Sequence, residues 1–98
     1  MLTELFIGIK KRNQPLKCTI GCKDGQWTCV CYNGKAAIRI MRSSTLLECT
    51  ENLAHFLLET YEKITYVESK VPANLITGIL RKNLNLIDSI DVPGFYLN

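Results

Sequence analysis

At 98 residues the chain has room for one hydrophobic core and not for two, so it reads as a single domain spanning 1–98. Apolar residues at 47%, charged residues at 21%, six glycines and three prolines exclude a disordered tail. Twelve Lys and Arg against nine Asp and Glu leave a net charge of +3, too small as a total to announce a nucleic-acid or membrane partner.

No apolar run approaches the roughly 20 residues that span a bilayer. The start, Met1-Leu2-Thr3-Glu4-Leu5, puts an acid where a signal peptide needs basic residues, so a cytoplasmic chain without a leader is expected. Five cysteines, an odd number, then read as reduced thiols rather than a disulfide framework.

Residues 1–42 alternate apolar and polar. Thr3 to Lys10 is a predicted strand with Leu5, Ile7 and Ile9 on one side, followed by a polar break through Pro15. Leu16 to Lys23 and Gln26 to Tyr32 are strands joined by Asp24-Gly25, a pair suited to the positive φ of a two-residue type I′ turn. Asn33-Gly34 gives a second such signal ahead of a fourth strand, Lys35 to Met41. Two-residue turns fix register, so Cys22 faces Trp27, Ile20 faces Cys29 and Cys18 faces Cys31. The second turn then sets Cys31 against Ala36, Cys29 against Ile38 and Trp27 against Ile40. One apolar face results, and the other carries Phe6, Lys10, Lys17, Thr19, Lys23, Gln26, Thr28, Val30, Tyr32, Lys35, Ala37, Arg39 and Met41.

After Arg42 the period lengthens to about 3.6. Thr45-Leu46-Leu47-Glu48 matches a capping box and opens a helix to about Lys63, with Glu48, Asn52, His55, Glu59 and Glu62 as its polar stripe. Its apolar arc is wider than one sheet needs, so a second helix near 72–88, opened by Pro72, is expected against it. Thr65-Tyr66-Val67-Glu68 reads equally as a short edge strand or as extended linker. The apolar tail from Asp91 to Asn98 is expected to dock on its own domain or on a partner. The fold class is α+β: a four-stranded antiparallel meander (1–42) packed on one face by a long helix, with a second C-terminal helix in the helical half (43–98).

Cys18, Cys22, Cys29 and Cys31 share one predicted face. Four thiolates are a zinc ligand set, but mid-strand positions among Ile and Trp favour small hydrophobic core residues over knuckle ligands. Cys18 and Cys31, directly opposite, are a candidate redox pair that apolar surroundings disfavour. Glu51, His55 and Glu59 lie at helical spacing on what reads as a solvated face, and Cys49 and His55 point to different sides of one helix. No phosphate-cradling glycine loop is present. The sequence therefore predicts no catalytic, cofactor or metal site, and no enzyme.

Charge by region is more informative. Residues 1–42 hold eight basic against two acidic side chains, a net +6, whereas residues 43–98 hold four against seven, a net −3. A basic sheet surface with rings and hydroxyls suits single-stranded DNA or RNA, because cations track phosphates while rings stack on unpaired bases. The expected contacts are Lys10, Lys17, Lys23, Thr28, Tyr32, Lys35, Arg39 and Arg42, with Lys17, Lys35 and Arg39 on phosphates and Tyr32 stacking. The alternative is a small inhibitor or adaptor using the same face on an acidic partner protein, and surplus apolar helix surface suggests a homodimer.

Four antiparallel strands followed by a long helix are similar to the transcriptional-coactivator and Whirly-type single-stranded DNA-binding proteins. The segment Tyr32-Asn33-Gly34-Lys35-Ala36-Ala37-Ile38 resembles the Whirly Lys-Gly-Lys-Ala-Ala-Leu signature over about six residues, departing at Asn33 and Ile38. The second helix and the short length are further departures. The resemblance implies single-strand binding on a curved sheet and assembly through helices.

Overall fold

In a computed structural model, residues 2–70 and 74–86 are described. Five strands and two helices follow in chain order: β1 (Leu2–Ile9), β2 (Leu16–Lys23), β3 (Gln26–Asn33), β4 (Ala36–Ser43), α1 (Leu46–Thr60), β5 (Ile64–Ser69) and α2 (Asn74–Asn83). The strands form one sheet in the order β4-β3-β2-β1-β5, so the meander is as predicted and a fifth strand closes the far side of β1. The Thr65–Glu68 stretch is thus an edge strand, antiparallel to β1. The expected tail contact, Pro72 and positions 87–88 of the expected second helix lie outside the described residues, and α2 itself ends at Asn83 rather than running on through 84–86.

The first hairpin forms as its turn chemistry dictates. Asp24 and Gly25 both hold positive φ, 53° and 77°, and Lys23 pairs with Gln26, Ile20 with Cys29 and Cys18 with Cys31.

The second hairpin departs from expectation in two steps. Gly34 and Lys35, not Asn33 and Gly34, occupy the turn: Asn33 pairs with Ala36, Gly34 has φ +65°, and Lys35 is not left-handed, the pattern of a glycine-first type II′ turn. That slide moves β4 by two positions and preserves the faces. A bulge then reverses them: Tyr32 pairs with Ala37 but Cys31 pairs with Arg39, leaving Ile38 unpaired. Beyond it Met41 opposes Cys29 and Ser43 opposes Trp27, both inward. Ile38 and Ile40, expected in the core, are 39% and 49% exposed, whereas Met41, expected outside, is 9% exposed.

β4 and β5 are opposite edges of the sheet, so α1, which connects them, has to cross its inner face. Thr45 caps it as predicted, its Oγ1 accepting the Glu48 N–H at 3.1 Å. α1 packs on β3 and β4, and α2 packs on β5 and on α1. Leu53 and Leu57 of α1 and Leu80 of α2 close over Leu5, Ile7, Leu16, Cys18, Ile20, Cys29 and Cys31. Leu75 of α2 is 66% exposed. Buried Thr50 is satisfied by donating to the Leu46 carbonyl at 2.7 Å. Cys22, predicted on the apolar face, sits at the end of β2 and is exposed.

The bulge makes a direct stability prediction. Met41→Ala should cost about 2 to 3 kcal/mol in urea unfolding, because it opens a void beside Cys29. Ile40→Ala should cost less than about 1 kcal/mol, because half of that side chain is already in water. Equal losses, or the reverse order, would restore the register expected from Asn33-Gly34.

Candidate nucleic-acid interface

Both helices lie on one side of the sheet, and among the described residues no element covers the other. Strand pairing arranges the open face in transverse rows. One row runs Glu68, Phe6, Lys17, Tyr32, Ala37 from β5 to β4. The next runs Glu4, Thr19, Val30, Ile40, and the last Leu2, Gly21, Thr28, Arg42. Two rings therefore flank a cation in the first row, each one strand spacing, about 5 Å, from it.

Lys17 is held from two sides. Its Nζ lies 3.1 Å from Glu4 Oε2 and 6.0 Å from the centroid of the Tyr32 ring. A third ring arrives from β5, where Tyr66 pairs with Gly8 and its ring occupies the space a Cβ on Gly8 would fill. Glycine at position 8 is what allows that ring to lie against the sheet, and Tyr66 remains 40% exposed. A shallow groove of about 450 Å³ runs over the middle of the face, floored by Thr19, Gly21, Thr28 and Val30 and bordered by Leu2, Lys23 and Tyr32.

Of the eight residues singled out by sequence, Lys17, Lys23, Thr28, Tyr32 and Arg42 share this face. Arg39 does not. The bulge turns it to the helix side, where its guanidinium carbon lies 5.2 Å from the centroid of the Phe56 ring of α1. Lys10 and Lys35 belong to a rim at the end of the sheet built from the β1–β2 loop, the β3–β4 turn and the start of β5. There Arg12 Nη2 donates to Asn33 Oδ1 at 2.8 Å, and the Lys10 N–H donates to the Lys63 carbonyl at 3.0 Å. Lys10, Lys11, Arg12, Lys35 and Lys63 thus collect at one end, all of them exposed. The face itself carries Lys17, Lys23 and Arg42 against Glu4 and Glu68, so its own excess of charge is small.

Tyr66, Glu4, Glu68, Ile40 and the rim residues Lys11, Arg12 and Lys63 were not among the eight. The small Gly8 on an otherwise bulky strand was the one signal in the sequence that something packs against it.

The edge of β4 is a second surface. Two-residue turns at both hairpins direct the backbone groups of Arg39, Met41 and Ser43 toward β3, leaving those of Ile40 and Arg42 pointing outward. The opposite edge is partly closed, since Arg81 Nη2 donates to the Val67 carbonyl at 2.7 Å. A groove of about 520 Å³ follows β4 where it meets α1, bordered by Arg39, Arg42, Asn52, His55, Phe56 and Glu59. Asn52 Nδ2 donates to Ser43 Oγ at 3.2 Å and ties helix to strand.

On the inner face, Cys18, Cys29, Cys31 and Cys49 are buried free thiols. Among the described residues no group of three or more His, Cys, Asp or Glu is placed to hold a metal ion, and no helix is long and apolar enough to cross a membrane. The chain matches no known protein family, no curated protein and no solved structure.

Burial pushes the Cys49 thiol up to about 11, with the neighbouring Cys29 and Glu48 adding to the shift, and burial likewise raises Tyr61. A raised folded-state value means the folded chain keeps its proton after the unfolded chain has lost it, so stability is full below pH 9 and declines as pH climbs toward 11. Urea midpoints measured across that window should fall, and Cys49→Ala should make the fall shallower. A midpoint insensitive to pH over the same range would show that Cys49 ionises freely.

Proposed function

We propose that this protein is a non-enzymatic binding module for single-stranded DNA or RNA, which lies across the open face of the sheet. The observation that carries the reading is the row Phe6, Lys17, Tyr32, in which a cation sits between two rings on an antiparallel face that no element covers among the described residues, with Tyr66 beside it. Unpaired bases stack on rings without regard to sequence, and each stack contributes about 1 to 3 kcal/mol. Lys17, Lys23 and Arg42 follow the phosphates across the face, and the strand leaves over the rim at Lys10 and Lys35. Lys17 exchanges its bond to Glu4 for a phosphate, so Glu4 works against non-specific anions.

A second reading, an acidic partner protein, is favoured by the β4 edge. The outward backbone groups of Ile40 and Arg42 suit strand addition, and Arg39, Arg42 and His55 border the adjoining groove.

Fluorescence anisotropy with labelled oligothymidylate and oligouridylate tests the first reading. Neutralising about three phosphates predicts a loss of roughly twentyfold in affinity between about 50 and 200 mM salt. Lys17→Glu with Arg42→Glu should abolish most binding while leaving the urea midpoint in place, Tyr32→Ala and Tyr66→Ala should each weaken it about tenfold or more, and Arg39→Glu should leave it largely intact. Absence of binding, or binding indifferent to salt, rejects the nucleic-acid reading. Binding lost in Arg39→Glu but kept in Lys17→Glu would move the site to the β4 edge.

A further inference from the structure

We propose that Cys18 and Cys31 are a covalent modification site: a buried cross-strand dithiol that a small two-electron oxidant of the peroxide class converts to an intramolecular disulfide. Three observations carry this, and none depends on the open face.

The two residues are register partners in the β2–β3 ladder. In a hairpin with a two-residue turn, the pair flanking the turn is hydrogen-bonded and pairs alternate from there. Counting from Lys23 and Gln26, Cys18 with Cys31 is a non-hydrogen-bonded pair, the closer of the two kinds, with Cα atoms about 4.5 Å apart. That is within the separation a disulfide accepts, about 4.4 to 6.8 Å.

The side chains already face each other. Sγ of Cys18 lies 3.0 Å from Sγ of Cys31, so the sulfurs have to close by only about 1 Å to reach a bond of about 2.05 Å. No other pair among the five cysteines is placed directly across a ladder: Cys29 pairs with Ile20 and Met41, and Cys22 with Trp27.

The thiols are also unequal. Either sulfur can donate across this contact, and bonding to Cys18, with the Tyr32 backbone assisting, lowers the pKa of the Cys31 thiol against the opposing effect of burial. Bonding to the thiols of Cys29 and Cys31, with burial, holds Cys18 protonated. Cys31 is accordingly the attacking sulfur and Cys18 the resolving one.

The chemistry balances without any group beyond the oxidant. The Cys31 thiolate attacks one oxygen of hydrogen peroxide, the O–O bond breaks, and the departing hydroxide takes the thiol proton to leave as water. The Cys31 sulfenic acid is then attacked by the Cys18 sulfur. The S–S bond forms, the S–O bond breaks, and the oxygen leaves as a second water with the Cys18 proton. Two thiols and one peroxide give one disulfide and two waters. Both cysteines are buried, so the reagent reaches them through local opening of the ladder that stops short of global unfolding.

The test is to treat the folded full-length chain with hydrogen peroxide, block remaining thiols under denaturing conditions, and map disulfides by mass spectrometry. A chain short by two hydrogens, with peptides containing Cys18 and Cys31 joined, is the expected product. Dithiothreitol should reverse it, and the oxidised chain should show a higher urea midpoint because the closed loop restricts the unfolded state. Cys22→Ser should react like the parent, and Cys31→Ser should give no intramolecular bond. Because Cys31→Ser places a hydroxyl in the core, Cys31→Ala serves as a second variant with the same expectation. Dimers linked through the exposed Cys22, a different intramolecular pair, oxidation to sulfinic acid without cross-linking, or reaction only after unfolding would each overturn the proposal.

Discussion

A two-residue turn whose central residues both hold positive φ matches the right-handed twist of its strands in one register only, and Asp24-Gly25 is such a turn. From that one constraint the β2–β3 ladder follows position by position. Ile20, Cys29, Cys18 and Cys31 go to the inside, and Thr19, Val30, Lys17 and Tyr32 go to the outside. β1 adds Leu5 and Ile7 to the inner rows and Phe6 and Glu4 to the outer ones. The helices then have an apolar surface to cover, and small thiols at Cys18, Cys29 and Cys31 keep that surface low enough for α1 to approach closely. A slip of one residue at the first turn would put Lys17 and Lys23 under the helix and expose the isoleucine and cysteines, so register, face and site depend on one dipeptide.

Some elements are legible in the sequence and others are not. The first hairpin, the inner face of β1, the Thr45 cap and the break from period two to period 3.6 at Arg42 are all written in local chemistry, and the structure has them. β4 is different, because Asn33-Gly34 and Gly34-Lys35 are both acceptable turns and the run Ala36-Ala37-Ile38-Arg39-Ile40-Met41 supplies apolar residues on either alternation. Nothing in that run marks Ile38 as the extra residue of a bulge. What selects the bulge is tertiary: it brings Met41 against Cys29 and lays Arg39 along the Phe56 ring, contacts between segments that no local pattern relates. Strict alternation therefore places Arg39 on the open face, whereas Arg42 lies on that face only because it falls beyond the bulge.

Charge was legible as a regional imbalance and not as a surface. The +6 of the first 42 residues divides among a lightly charged face, a crowded rim and the helix side, because Glu4 enters the outer rows, Lys10, Lys11, Arg12 and Lys35 fall in connections, and Arg39 turns toward Phe56. The sequence leaves β5 open between edge strand and linker, since its pairing with β1 joins residues more than 50 positions apart. With it came Tyr66, and with Tyr66 the explanation for Gly8. On the proposed reading, a face with few net charges but three rings would bind through stacking, with the rim as the source of long-range attraction.

Inner and outer rows of the β2–β3 ladder are not independent surfaces. Cys18 and Cys31 are the immediate chain neighbours of Lys17 and Tyr32, so the inter-strand spacing at one pair constrains the next within a single residue. Strand geometry thus places the facing thiols of Cys18 and Cys31 and the outer row of Lys17 and Tyr32 on opposite sides of the same two backbones.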